Sequence, residues 1–312
     1  MQSFTVSPKE DGQKLDRVIL HAFPGLSYSK LRAALRKKDV RIDGQRVKAV
    51  APVHAGQTIA VYLPDAELAP RPRADILFED EAVLLAHKPQ GLPVQSDRPG
   101  EDSLEARLRN PAEALFPAAC HRLDVQTAGL VLFAKNPQSH AAALEAFRGQ
   151  KIGKHYQCFT TRPPQAPRGE LRHYLYKDAA GAHVRVAQHP GPNTRQAILQ
   201  YETLSCGDSG ALLHVQLHTG RTHQIRVQLA QIGCPLLGDD RYGDRARNGA
   251  LHLRTQALWA CALHFAPALP APLQALSGRW FYAPQKLWRY PPVEGLRMCP
   301  PEELKDLIST PN

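Results

Sequence analysis

Pro64, Pro70 and Pro72 fall within nine residues and mark the strongest break in the chain, because proline can neither continue a helix nor donate into a sheet ladder. With alanine and arginine among them, they predict a stiff linker over residues 65–74. The break separates a short stretch, residues 1–64, from a long one, residues 75–290, with a tail over residues 291–312. A chain of 312 residues has room for one large domain and one small one.

In the short stretch, Leu15, Val18, Ile19 and Ala22 recur with helical period, and so do Leu31, Ala34 and Leu35. Ser27 or Ser29 suits the cap of the second helix. Val40-Arg41-Ile42-Asp43-Gly44-Gln45 alternates and then turns at Asp43-Gly44, a hairpin signal, and a further strand follows at 58–62. Residues 14–48 hold ten basic and three acidic side chains, a surplus of +7 against +10 for the whole chain. Charge so concentrated favours a polyanion, most simply a nucleic acid. Lys30, Arg32, Arg36, Lys37, Lys38 and Arg41 are the candidate contacts. The run "LD…LSYSKLRAALRKKDVRIDGQRV…AGQTIAVY" resembles the small RNA-binding domain shared with ribosomal protein S-four.

The long stretch contains strand-like runs at 83–86, 130–134 and 212–217, with few helices between them. No regular alternation of strand and helix appears. An α+β fold around a mixed or antiparallel sheet is therefore expected rather than a doubly wound one. Residues 160–200, rich in Pro, Gly and His, read as hairpins and loops. The tail, with a short helix candidate at 302–308, reads as a surface segment. The six cysteines form no C-x-x-C pair and are expected to be buried and reduced. No apolar run reaches the roughly 18 residues of a membrane span. The N-terminus carries no secretory pattern, so a cytoplasmic location is expected; a monomer is also expected.

Two polar motifs stand out. His121-Arg122-Leu123-Asp124 immediately precedes the apolar run Leu130-Val131-Leu132-Phe133-Ala134, which puts a carboxylate on a loop at a strand's entry. Taken alone, Asp124 is a nucleophile, a general base or a structural cap. In Thr219-Gly220-Arg221-Thr222-His223-Gln224-Ile225-Arg226, the apolar residues Ile225, Leu229 and Ile232 share a helical face. Thr222 is a candidate cap, and Gly233 with Pro235 stops the helix. Arg221 and Arg226 then lie near a helix N-terminus, which favours anions. No metal site is expected: His214 and His218 on an alternating strand stand about 13 Å apart, and both are expected to point outward. His223 has Val227, not a ligand, four residues on. Neither glycine-rich nucleotide motif occurs, so no cofactor is expected.

Four ordered segments carry a family resemblance: "FEDEAVLLAHKPQGLPVQ" (78–95), "HRLDVQTAGLVLFAK" (121–135), "KHYQCFT" (154–160) and "TGRTHQIRVQLAQIGCPLLGDDRYG" (219–243). Along nearly its whole length the chain resembles the RluA-type pseudouridine synthases. The resemblance implies that Asp124 is the catalytic aspartate, that Tyr156 packs on the target base, and that Arg226 pairs with Asp124. It implies further that Arg122 fills the space a flipped uridine leaves; His121 and Arg221 are further candidate RNA contacts. Ala128, Gln228 and Trp259 depart from the family's usual Ser, His and His, which bears on hydrogen bonding around the site.

Isomerisation of uridine needs no redox cofactor. The C1′–N1 bond breaks, the uracil turns, and C5 reattaches. A carboxylate can add covalently to the base or to C1′. It must stay ionised in a screened site, and a close guanidinium opposes the effect of burial. The nucleotide must leave its helix first, with an aromatic to stack on. Ribosomal RNA is the expected substrate and tRNA the alternative. Two other classes compete: an RNA-binding assembly protein without catalysis, and an RNA-cleaving enzyme using His121 and His223 as acid and base.

Overall fold

The computed structural model describes residues 1–69, 72–96, 101–109, 116–178, 183–287, 299–300 and 302–304. The chain divides into two units, residues 1–74 with 95–109 and residues 75–94 with 110–312.

The first unit contains Gln2–Thr5 (β1), Leu15–Ala22 (α1), Tyr28–Lys37 (α2), Val40–Ile42 (β2), Gln45–Arg46 (β3), Thr58–Val61 (β4), Asp65–Leu68 (α3) and Leu104–Leu108 (α4). Its antiparallel sheet runs β1-β4-β2-β3. Of the two serines considered as cap, Ser27 serves: its hydroxyl accepts the Lys30 N–H at 3.3 Å. Asp43 and Gly44 both take positive φ, as a two-residue hairpin turn with the right-handed strand twist requires. Leu15, Val18 and Ile19 of α1 meet Leu31, Ala34 and Leu35 of α2 and Val40, Ile59 and Val61 of the sheet in one core. β1, four largely exposed residues at the sheet edge, has no apolar alternation that would announce it. Part of the expected linker is helical, and Leu68 is buried in this unit's core; Pro70 lies outside the described residues. Arg32, Arg36, Lys37 and Lys38 are exposed. Lys30 pairs with Glu67 at 3.4 Å, and the Arg41 guanidinium lies over the Tyr62 ring.

The second unit is built from Asp75–Glu79 (β5), Val83–Lys88 (β6), Ala118–Ala119 (β7), Ala128–Ala134 (β8), Ile152–Thr160 (β9), Arg168–Lys177 (β10), Val184–Ala187 (β11), Arg195–Gly207 (β12), Gly210–Leu217 (β13), Leu258–Phe265 (β14) and Trp280–Tyr282 (β15). Its helices are Pro137–Arg148 (α5), Gln224–Gln231 (α6) and Arg245–Ala250 (α7). The strand order is β11-β10-β12-β13-β9-β14-β8-β6-β5, with β15 on β14 and β7 on β8. Only β8 and β14 pair in parallel among the described residues, so the sheet is mixed and the fold α+β. β6 and β8 are buried at every position, which is why they read as unbroken apolar runs. Where β8 meets β14, Gly129 has φ +127° and a Cβ there would collide with the Ala260 carbonyl oxygen.

Four expectations are corrected here. Residues 160–200 form hairpins as expected, but on the long strands β10 and β12 and not on loops; polar residues on the accessible face hide their alternation. His214 points not to solvent but into a buried stack, its Nε2 3.1 Å from His155 Nδ1, with Trp280 packed on His155. β13 lies between β12 and β9 and is covered on both faces there. Tail residues join the core: Leu304 is fully buried, and the Cys299 carbonyl accepts from Gln157 at 2.7 Å. The helix candidate beyond Leu304 lies outside the described residues. Cys206 is exposed and Cys299 half-buried, while the other four cysteines are buried as free thiols.

Candidate active site

The loop carrying Asp124 joins β7 to β8, and the sheet decides what surrounds it. Lys88 ends β6 directly opposite Gly129 at the start of β8. Its side chain is fully buried, and Nζ donates to the carbonyls of Pro89 (2.9 Å), Leu92 (2.7 Å) and Val125 (2.9 Å). One ammonium therefore ties the peptide after Asp124 to the turn after β6. Burial pushes the Lys88 pKa down to about 7, opposed by the Asp124 charge. The loop is closed further by Thr127 N–H to the Asp124 carbonyl and Gly91 N–H to the Val125 carbonyl.

Arg226, in the first turn of α6, faces this loop. Its Nη1 lies 3.3 Å from Asp124 Oδ2, so the structure brings these two residues together. The tighter pairing is with a residue the sequence reading passed over. Arg226 Nε and Nη2 grip Asp239 at 2.7 and 2.8 Å, and Nη2 also reaches Asp240 at 3.2 Å. Asp239 is fully buried and accepts the N–H groups of Arg241 and Tyr242 as well. Burial works against both charges. Their mutual hydrogen bonds outweigh it, so Asp239 is held below the usual carboxylate range and Arg226 above the usual guanidinium range. A planar fork fixed on Asp239 leaves Nη1 to present a positive charge to Asp124. Asp239 was legible as part of "LLGDDRYG", but nothing in its spacing assigns it to Arg226. Asn248 holds the turn by accepting from Gly238 N–H and donating to the Asp239 carbonyl.

α6 does not begin at Thr222 as expected. His223 stands at its start in the left-handed conformation (φ 55°) and gives no side-chain cap. Gln224 organises the preceding loop instead: its Oε1 accepts from Thr219 Oγ1 (2.8 Å) and Arg221 N–H (3.0 Å), and its Nε2 donates to the Ile198 carbonyl (3.0 Å). Arg221 Nε donates to the Gln196 carbonyl, which sets the guanidinium on β12.

Asp124, Tyr156, Arg226, Arg122, Arg221 and His121 all line one cleft of about 590 Å³. Tyr156 comes from the middle of β9 and is 6% exposed. Burial first and the Asp124 charge second raise its pKa, so its hydroxyl is protonated at neutral pH. Arg122 is exposed at the cleft. His121 is engaged inside the fold: its Nε2 accepts the Leu132 N–H at 3.1 Å and its ring packs on Phe147. Burial pushes its pKa down to about 3, helped by Lys154. A neutral ring with that nitrogen occupied is ill suited to acid–base cleavage of RNA. Lys30, Arg32, Arg36, Lys37, Lys38 and Arg41 belong to the first unit and are not among the residues lining this cleft.

The three departures from the family pattern sit away from Asp124's own contacts. Ala128 and Trp259 are buried in the main core. Gln228 Nε2 donates to the carbonyls of Leu171 and Ala197 and contacts His173, tying α6 to β10 and β12. Among the described residues no group of three or more His, Cys, Asp or Glu is arranged to hold a metal ion, and no helix is long and apolar enough to cross a membrane.

A carboxylate paired with a guanidinium inside an arginine-lined cleft, beside a buried aromatic, is the frame of an enzyme for an anionic substrate with a planar part. Comparison with known proteins gives the class. The family model described as RNA pseudouridylate synthase matches residues 82–231. A ribosomal large subunit pseudouridine synthase C of Rickettsia felis is 31% identical over 74% of this chain and 82% of its own. A ribosomal large subunit pseudouridine synthase D of Yersinia pestis is 29% identical over 78% of this chain and 77% of its own. The solved human RNA pseudouridylate synthase domain containing 1 shares the fold, with a TM-score of 0.59, 21% identity and coverage of 78% of this chain and 99% of that one. The chain belongs to the RluA-type family of RNA pseudouridine synthases and is an enzyme of that class.

Proposed function

We propose that this enzyme converts specific uridines of large-subunit ribosomal RNA to pseudouridine in the cytoplasm, acting as a monomer, with Asp124 as the nucleophile. The observation that carries the reading is the Asp124–Arg226 ion pair, fixed from behind by Asp239, in a cleft that also contains Tyr156. Asp124 adds to the flipped nucleotide, the C1′–N1 bond breaks, and the released uracil turns while held in the cleft. Reattachment through C5 is completed by departure of the Asp124 carboxylate, which breaks its bond to the nucleotide; C5 then loses its proton, and N1 takes up one. Arg226 orients the carboxylate and faces its charge; Tyr156, protonated, packs on the base. Arg122 enters the RNA where the nucleotide was. The exposed cations of the basic N-terminal domain, residues 1–64, add affinity through phosphates.

The names of the bacterial relatives support ribosomal RNA over tRNA. RNA tritiated at uridine C5 tests this: release of tritium to water from large-subunit ribosomal RNA, and none from tRNA, is expected. Release from tRNA alone would move the substrate, and release from neither would overturn the reading.

A further inference from the structure

We infer that Lys154 and Arg221 form a phosphate-binding subsite at the side of the cleft, which holds a backbone phosphate next to the flipped nucleotide. The inference rests on the reading above and adds a binding group to it. Lys154 precedes His155 and Tyr156 on β9, and its side chain lines the same cleft as Asp124 and Arg226. Unlike the buried Lys88, whose three protons are all taken by carbonyls, Lys154 Nζ has no hydrogen bond and no ion pair among the described residues. Phe147 of α5 supplies an electron-rich ring 5.8 Å away. On the other side is Gly220, where a side-chain carbon would touch Nζ at 3.4 Å. The missing side chain leaves that approach open.

Apart from Asp124, the charged and titratable groups that line the cleft with Lys154 are cationic or neutral. Arg221 acts on it from the loop before α6, and Lys154 in turn acts on His121; Arg148 of α5 and His218 line the same cleft. Asp124 is the acid of this cleft, and it is already paired with Arg226. Arg221 uses Nε on the Gln196 carbonyl, which fixes its plane and leaves the terminal nitrogens to a ligand. Two neighbouring cations without an acid between them raise each other's free energy until an anion arrives. The anion an RNA brings to every nucleotide is a phosphate, and a lysine point charge beside an arginine fork suits it. Burial first and Arg221 second push the Lys154 pKa down to about 8, so the subsite weakens just above neutral pH.

Binding of a C5-tritiated ribosomal RNA fragment to wild type, Lys154→Gln and Lys154→Arg, with single-turnover tritium release on the same samples, tests the assignment. Lys154→Gln should raise Kd about tenfold or more, as loss of a charged hydrogen bond implies. The slope of log Kd on log salt should fall by about 0.7 to 0.9, one phosphate contact. The wild-type Kd should rise between pH 7 and pH 9 by up to about tenfold, as expected for a cation titrating near 8. Lys154→Arg should abolish that rise, because arginine does not titrate there. An unchanged Kd and salt slope in Lys154→Gln, or a wild-type pH dependence that Lys154→Arg retains, would overturn the subsite. If Lys154→Gln does not fold, the wild-type and Lys154→Arg pH profiles decide. Absence of tritium release from wild type itself would instead overturn the reading of the reaction.

Discussion

At the scale of single residues, the site depends on a partner division that Arg226 makes possible. A lysine could answer Asp124 but could not hold Asp239 with two parallel bonds at the same time. Asp239→Asn should therefore act on both stability and turnover. Removing one side of a buried ion pair costs about 3 kcal/mol or more. Because the Asp239 pKa is lowered by folding, that stability is present at neutral pH and is lost as pH falls through the folded-state value. Urea titrations at pH 7 and pH 3 should show a wild-type advantage over Asp239→Asn at pH 7 that narrows at pH 3, below the ordinary carboxylate value. Turnover should fall at least tenfold, an order of magnitude set by about 1.4 kcal/mol of lost orientation. The pairing of Asp124 with Arg226 was legible because each stands in a motif that carries the family resemblance. Asp239 was not, because its role is set by a turn that only the fold closes, with Asn248 nine residues further on.

At the scale of elements, the pairing of β6, β8, β9 and β14 brings the Asp124 loop and Tyr156 to one cleft. Gly129→Ala should destabilise the second unit by several kcal/mol, since an L side chain at φ +127° meets the Ala260 carbonyl. A thermal melt should show it, and an unchanged midpoint would mean that β8 and β14 part easily. Lys88→Met keeps the apolar stem and removes the donor. Each of the three carbonyls it serves loses a partner costing about 1 kcal/mol or more. Denaturant unfolding should report a loss of about 3 kcal/mol. The strands β6, β8 and β13 were visible as apolar runs because both their faces are covered. β10 and β12 were not, because one face is accessible and carries Arg, Glu, Gln and Tyr, which dilute the apolar signal. The histidines of β13 misled for a related reason: alternation shows two faces but not what lies over the polar one, here His155 and Trp280.

For the whole molecule, charge and buried histidine set the response to solution conditions. Burial pushes His87 and His214 down to about 4, so in the folded chain both are neutral at pH 6. Unfolded, they titrate near 6.5 and bind protons first. Stability should therefore be full above about pH 7 and decline as pH falls from 6.5 toward 4, by at most about 1.4 kcal/mol per pH unit for each histidine. Chemical denaturation between pH 7.5 and 5 measures the slope; a flat profile would contradict the burial of these rings. The surplus of basic side chains on the first unit was legible from composition and spacing alone. How that unit's helices, hairpin and edge strand share one core needed the fold, because β1 and Leu68 carry no periodic signal.

The central claim is that Asp124, paired with Arg226, starts the reaction. Single-turnover tritium release by Asp124→Asn, alongside its RNA affinity, tests it most directly. The account predicts release reduced to background with Kd within about threefold of wild type, a change of less than about 0.7 kcal/mol. Release at a substantial fraction of the wild-type rate would contradict it.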